Sequence, residues 1–206
     1  MSEGVQDVET GRIEAFSDGV FAIAITLLVL ELGVGHKYEH DHGLWRALVH
    51  EWPSFAAYVT SFFIIGIMWV NHHSMFRSIA RADRVLLFFN LLLLMWMTLI
   101  PFPTRLVADH LGDGGHDAAV AEAVYSANLT LAAIAFSLIW IHAVRGGRLI
   151  AAPLGRREEW RSIGRFSVGT FLYGATIGIS FASAGAALAV QFVLALYYLF
   201  EQVRSG

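Results

Sequence analysis

The chain has 206 residues, of which 56% are hydrophobic and only 15% charged, with a formal net charge of −3 and no cysteine; its mean hydropathy is +0.58. A helix crossing a hydrocarbon core of about 30 Å needs roughly 20 mostly apolar residues, so six such helices consume about 120 and leave too few for a separate soluble domain or an enzyme on a membrane tail. The missing cysteines exclude disulfide scaffolds, thiol nucleophiles and cysteine-ligated metals, and a near-neutral charge without a basic tract argues against nucleic acid as a partner.

In chain order, uninterrupted apolar runs predict six transmembrane helices: Phe16–Leu32, Trp52–Phe76, Val85–Arg105, Ala118–Ala143, Ser162–Ala182 and Ala186–Phe200. The last two share a charge-free run from Phe166 to Phe200, too long for one span at ordinary tilt, which places a turn at Ser183–Ala184–Gly185. Five spans is the rival count. The leading segment carries Glu3, Asp7, Glu9 and Glu14 and lacks the basic start and small-residue cleavage site of a signal peptide, so the first helix is expected to be retained.

The loops orient the chain. With Met1 in the cytoplasm, the inside segments hold Arg12, Arg77, Arg81, Arg84, Arg145, Arg148, Arg156, Arg157, Arg161, Arg165 and Arg204, and only Lys37, Arg46 and Arg105 remain outside. The positive-inside rule then places both termini in the cytoplasm of a multi-pass protein of the plasma membrane. Glu31, Glu39, Asp41, Glu51, Asp109, Asp113, Asp117 and Glu122 fall outside, where a negative face raises the local cation concentration; acids also collect there simply because bases do not. No internal repeat is present, so a central pore has to be built by symmetric association of several chains.

Ionisable groups inside a membrane are costly and call for partners. Asp18 lies in the first turn of the first helix; Asn71, His72 and His73 lie at the matching end of the second, and Asn90 near the start of the third. Their similar depth predicts a buried polar layer in which Asp18 accepts hydrogen bonds from Arg12, from a histidine of the 72–73 pair or from Asn90. Structural glue and a moving, pH-sensitive gate element are both open to such a layer. A catalytic zinc site of Asp18, His72 and His73 is disfavoured, because adjacent histidines on a helix point about 100° apart and no His-Glu-x-x-His spacing accompanies them. The loop bearing His36, His40 and His42 has a metal-friendly composition that equally suits a solvated loop. Thr170–Gly174 is a poor match to a potassium-filter pentapeptide, since Leu172 occupies its middle and the run is helical; Gly174, Gly178 and Ala182 instead read as a close-packing stripe.

The opening run Arg12–Ile–Glu–Ala–Phe16–Ser17–Asp18, continuing through Ile23, Thr26, Leu27 and Leu30, resembles the signature of the bacterial transmembrane protein 175 potassium channels. The block Trp69–Val–Asn71–His72–His73–Ser–Met–Phe76–Arg77, then Arg81-x-Asp83, Asn90 and Pro101, is similar to the second and third helices of that family. About half the chain carries these specific motifs; the other half matches in helix number and placement. The resemblance implies an all-α membrane protein with six transmembrane helices per subunit, a homotetramer whose first helices line a central pore, no pentapeptide filter, no cofactor and no enzymatic activity. It implies an apolar constriction at Ile23 with Leu27 and Leu30, a potassium preference aided by Thr26, and support of the helix by the polar residues Arg12, Ser17 and Asp18.

Helical geometry is compatible with that assignment. At about 100° per residue, positions 27 and 30 lie about +40° and −20° from position 23, with Phe16 and Gly19 on the same face, Thr26 on its shoulder and Asp18 about 140° away. Periodicity alone does not distinguish a pore face from a packing face; the resemblance does. A ring of isoleucines offers a cation no ligands, so a pore about one water wide there is dry and closed, and modest widening rewets it. The expectation is a passive, potassium-preferring cation channel in which proton passage stays open. The alternative is a proton-coupled transporter with Asp18 and the His72–His73 pair as relay, although the internal repeats and broken midplane helices usual in transporters are missing.

Overall fold

The structure, a computed structural model, describes residues 10–32, 43–145, 147–152 and 154–205, with side chains as far as Leu199. The described residues are helical almost throughout: α1 (Thr10–Leu27), continued by a 3-10 turn (Leu28–Glu31), α2 (Leu44–His50), α3 (Trp52–Phe76), α4 (Arg84–Leu99), α5 (Pro101–His110), α6 (Gly115–Val144), α7 (Arg156–Ala182) and α8 (Ala184–Ser205). Four stretches are long and apolar enough to cross a membrane: Thr10–Glu31, Trp52–Phe76, Arg84–His110 and Gly115–Val144; Ala184–Leu199 is a shorter apolar helix.

Local chemistry sets the breaks. Asp83 caps α4, its carboxylate accepting the Leu86 N–H at 2.9 Å. Pro101 and Pro103 have no N–H to give to the preceding turn, so the chain tightens there, Ile100 N–H reaching Met97 O at 3.3 Å. The expected third helix, 85–105, is thus two helices, and α5 carries the rod on to His110. Gly114 and Gly115, at φ of 68° and 73°, turn the chain into α6 through a conformation that side chains disfavour. Ser183 is extended (φ −163°, ψ 112°), and its Oγ accepts the Ala186 N–H at 3.2 Å, separating α7 from α8.

α6 is the hub. Its 30 residues span about 45 Å, and its many buried alanines, Ala118, Ala121, Ala132 and Ala135 among them, let α4, α5, α7 and α8 approach closely. α1 stands to one side, packed on α3 and α4 through Ile13, Ser17, Phe21 and Ala24, with Leu28 continuing the buried row. At the arginine-rich end the loops after α3 and α6 are stitched by an antiparallel bridge between Ile79 and Ile150, with Ala80 N–H on Leu149 O at 2.8 Å and Ala151 N–H on Ser78 O at 3.0 Å. The Gly174–Gly178–Ala182 stripe does not pack as its spacing suggests. A Cβ on Gly174 would meet Thr130 only at ordinary contact distance, while Gly178 has nothing within 4 Å, and Ala182 is exposed.

Candidate functional site

α1 has two unlike sides. Toward α3 and α4, Ser17, Phe21, Ala24 and Leu28 are buried. On the opposite side Phe16, Gly19, Ile23, Thr26, Leu27 and Leu30 are all exposed in the protomer, Ile23 at 57% and Leu30 at 69%. The 3-10 turn refines the angular count. With three residues per turn, Leu30 eclipses Leu27 instead of drifting back across the stripe, so the two stack along the axis. Thr26 Oγ1 donates to Ile23 O at 2.9 Å. Its proton is thereby committed to its own helix, and its oxygen lone pairs are left for an outside donor or a cation.

Behind this face lies a buried polar chain. His72 Nε2 donates to Asn90 Oδ1 at 2.9 Å, and Asn90 Nδ2 donates to Ser17 Oγ at 3.0 Å. The asparagine orientation fixes the histidine as the Nε2–H tautomer, with the ring stacked on Phe76 at 4.3 Å and Phe21 at 5.5 Å. All three polar side chains are essentially inaccessible, and the chain ties α1, α3 and α4 together at one level.

The other expected members of the layer are placed elsewhere. Asp18 accepts from Trp69 Nε1 at 2.8 Å, a partner that the sequence did not suggest in place of Arg12, histidine or Asn90. Trp69 stacks on His73, which turns outward and meets Glu14 at 3.6 Å. Asn71 points the other way, into a small cavity with Phe136, Gly169, Tyr173 and Tyr198 between α3, α6, α7 and α8. Arg12 stands exposed at the start of α1. The hydrogen bonds therefore run in separate sets, one through Ser17, Asn90 and His72 and one from Trp69 to Asp18, and no hydrogen bond among the described residues joins Asp18 to either histidine.

Two further acidic groups stand apart from this layer. At the far end of α1, Glu31 meets Arg105 of α5 at 3.5 Å, and Arg105 also reaches Asp109 at 3.4 Å. Glu122, assigned from its position to the acidic outer face, is instead wholly buried in α6 beside Gln191 and Ser126. It belongs to a polar cluster in which Gln191 Nε2 donates to Ser126 at 2.8 Å and to Thr176 at 3.2 Å, adjoining the Ser61–Thr104 and Ser61–Tyr125 pair of bonds. Among the described residues no group of three His, Asp or Glu side chains is arranged to hold a metal; His36, His40 and His42 lie outside them.

Comparison with known proteins bears directly on the α1 face. A family model described as the endosomal/lysosomal potassium channel TMEM175 matches residues 12–101, which hold the whole exposed stripe and its backing. A potassium channel of Streptomyces collinus is 49% identical over 199 residues, spanning 95% of this chain and 94% of that one. The chain belongs to the TMEM175 family. A second TMEM175 relative, a potassium channel of Chamaesiphon minutus, is 45% identical over 96% of this chain and 97% of its own length. The crystal structure of a lysosomal potassium-selective channel TMEM175 homologue from the same organism superposes with a TM-score of 0.83 at 43% identity, covering 93% of this chain and 97% of that one. The human TMEM175, named an endosomal/lysosomal proton channel, is 37% identical over 97 residues, 44% of this chain and 19% of its own length. Family members bear the names of ion channels, and the fold is that of a channel subunit.

Proposed function

We propose that the chain is the subunit of a passive, potassium-preferring cation channel of the plasma membrane. Four copies assemble around an axis, each contributing six transmembrane helices, and the first helix of each faces the axis with Ile23, Leu27 and Leu30 as the constriction. The observation that carries this reading is the branched apolar row of α1, left uncovered by its own chain over the segment where a TMEM175 signature matches. Full-length relatives of S. collinus and C. minutus named potassium channels support the choice of ion. α7 and α8 run 27 and 22 residues, and their charge-free stretches, 166–182 and 184–199, are each about 25 Å long and supply a fifth and a sixth span with their flanking turns at the interface. Both termini lie in the cytoplasm on the distribution of arginines.

In operation the apolar ring excludes water when narrow and so holds the pore shut without any charged plug; a small outward shift of α1 with the helices behind it admits water and ions together. Thr26 oxygens replace part of a cation's hydration beside the ring. Hydroxyls and residual water bind less strictly than rings of carbonyls, so preference for potassium over sodium is modest. Ser17, Asn90 and His72 lock the back of α1 to α3 and α4, with the Trp69–Asp18 bond at the same level.

Potassium flux into proteoliposomes without an energy source, compared between the natural protein and Ile23→Ala, tests the proposal. Raised conductance or altered selectivity in the variant is expected; identical currents overturn the constriction. The mass of the detergent-solubilised particle tests the assembly, which fails if the particle is strictly monomeric.

A further inference from the structure

At the arginine-rich end, on the side of the bundle away from α1, a cavity of about 660 Å³ opens between the stitched loops, the end of α6 and the start of α7. Its volume lies within the usual range for small-molecule sites, about 300–1,000 Å³, and is generous for a bare inorganic anion. Arg77, Arg161 and Arg165 line it, with Glu158 as the one acid. That carboxylate accepts the Gly155 N–H at 3.1 Å and so closes the N-terminus of α7. Three guanidiniums against one occupied carboxylate leave the cavity cationic.

The walls are built in advance. The Ile79–Ile150 bridge fixes one side. Trp140, buried, forms part of the lining and gives its indole N–H to Ser162 Oγ at 3.1 Å. Arg165 lies over the Phe166 ring at 5.1 Å, which holds its head group at the rim. Beside the arginines the lining turns apolar, with Ile150 and the partly exposed Leu154, and Trp160 stands exposed one residue before Arg161. Guanidiniums and an aliphatic wall in one cavity, with an exposed indole next to it in the chain, are the groups that meet a lipid at the membrane boundary, where phosphate, interface and acyl chain adjoin. A guanidinium also meets a phosphate through paired N–H donors.

We propose that this cavity binds the phosphate head group of an anionic phospholipid. That the lipid comes from the inner leaflet rests on the orientation proposed above; binding in detergent does not, so its failure and the failure of the channel reading are separately visible.

The test uses the full-length protein in detergent, with lipid binding counted by native mass spectrometry and thermal stability followed in parallel. Phosphatidylglycerol is expected to bind and raise the melting temperature, while phosphatidylcholine, whose amine cancels its phosphate, binds weakly. The double variant Arg77→Gln/Arg161→Gln should lose affinity about thirtyfold. Glu158→Gln, which removes the acid and leaves all three arginines, should tighten binding, and it serves if the double variant does not fold. Equal binding of the two lipids, or phosphatidylglycerol binding unaffected by both sets of substitutions, overturns the proposal. Inorganic phosphate giving the same arginine-dependent stabilisation as the lipid also overturns it, assigning the cavity to a soluble anion.

Discussion

Asn90→Leu probes the structure at the point where α1 is held. The substitution keeps the branched, four-atom shape of the side chain at a buried site and removes both the acceptor of His72 Nε2–H and the donor to Ser17. Interhelical hydrogen bonds between membrane helices contribute only about 0.6 kcal/mol each on average. The larger effect is what the loss leaves behind, a buried imidazole N–H and a buried hydroxyl without their partner, at about 1–3 kcal/mol for a stranded group. The two stranded groups alone make roughly 2–6 kcal/mol per subunit, at least several degrees of melting temperature in a chain of this size. The informative comparison is the triple variant Ser17→Ala/His72→Phe/Asn90→Leu. It deletes the same bonds but strands nothing, so it should be more stable than Asn90→Leu alone. Thermal melting in one detergent, with a double-mutant cycle on His72 and Asn90, measures this. A single variant within about 0.5 kcal/mol of the natural protein, or a triple variant worse than the single, refutes the reasoning.

Thr26→Val keeps shape and removes the oxygen, so potassium-over-sodium preference in bi-ionic recordings should fall a few-fold, and Thr26→Ser should retain most of it. Burial pushes the Asp83 carboxyl upward, but the Leu86 N–H and His142, 2.9 Å from Oδ2, outweigh it and hold the group below its ordinary value. Its contribution to stability is therefore complete above the unfolded value near 3.9 and fades as pH falls through the lower folded value; acid melting curves of Asp83→Ala should be flatter over that window than those of the natural protein. At neutral pH the same substitution removes the cap of α4 and should cost about 1 kcal/mol in thermal unfolding. Glu122→Gln should be neutral or stabilising, since Gln191 and Ser126 beside it carry no positive charge, whereas Glu122→Ala leaves a void and should cost about 1–3 kcal/mol; a strong loss in Glu122→Gln would reveal a cation paired with the carboxylate.

The exposed face of α1 was legible through the family resemblance, since its periodicity alone suits a packing face as well. Ile23, Leu27 and Leu30 recur at helical spacing, and a helix packed on one side only must show its other side. What lay beyond the sequence was register between helices. Asp18 and Trp69 are 51 residues apart, and nothing in either segment says that the indole sits level with the carboxylate. Asn71 was grouped with His72 because they are neighbours in the chain, yet one residue is about 100° of rotation, enough to carry its amide to another interface. Glu122 was placed by depth along α6 and not by azimuth, so an inward-facing acid read as a surface one. The small-residue stripe of α7 has the right spacing but no neighbour among the described residues close enough to require it, a Cβ on Gly178 meeting nothing within 4 Å.

The restraints on α1 differ in kind along its length, and that constrains how a pore lined by it can open. Trp69 with Asp18, and Arg105 with Glu31 at the far end, are partly exposed contacts, Arg105 being 62% accessible, and exposed pairs of this sort hold weakly. Next to Asp18, on the other side of the helix, Ser17 is fully buried with His72 in one hydrogen-bonded chain, and from there toward Glu31 the residues Phe21, Ala24 and Leu28 are packed out of reach of water. Separating those contacts strands polar groups and opens voids together, so the back of α1 moves with α3 and α4 or not at all. Widening at Ile23 by sliding α1 alone therefore breaks the buried chain. Tilting α1, α3 and α4 as one body keeps that chain intact and instead shifts α4 across α6 and α3 across α5 and α8. A cross-link between α1 and α3 at the level of Ser17 should accordingly leave flux unchanged, while one that joins this unit to α6 should abolish it, and the reverse pattern would show that α1 opens by itself.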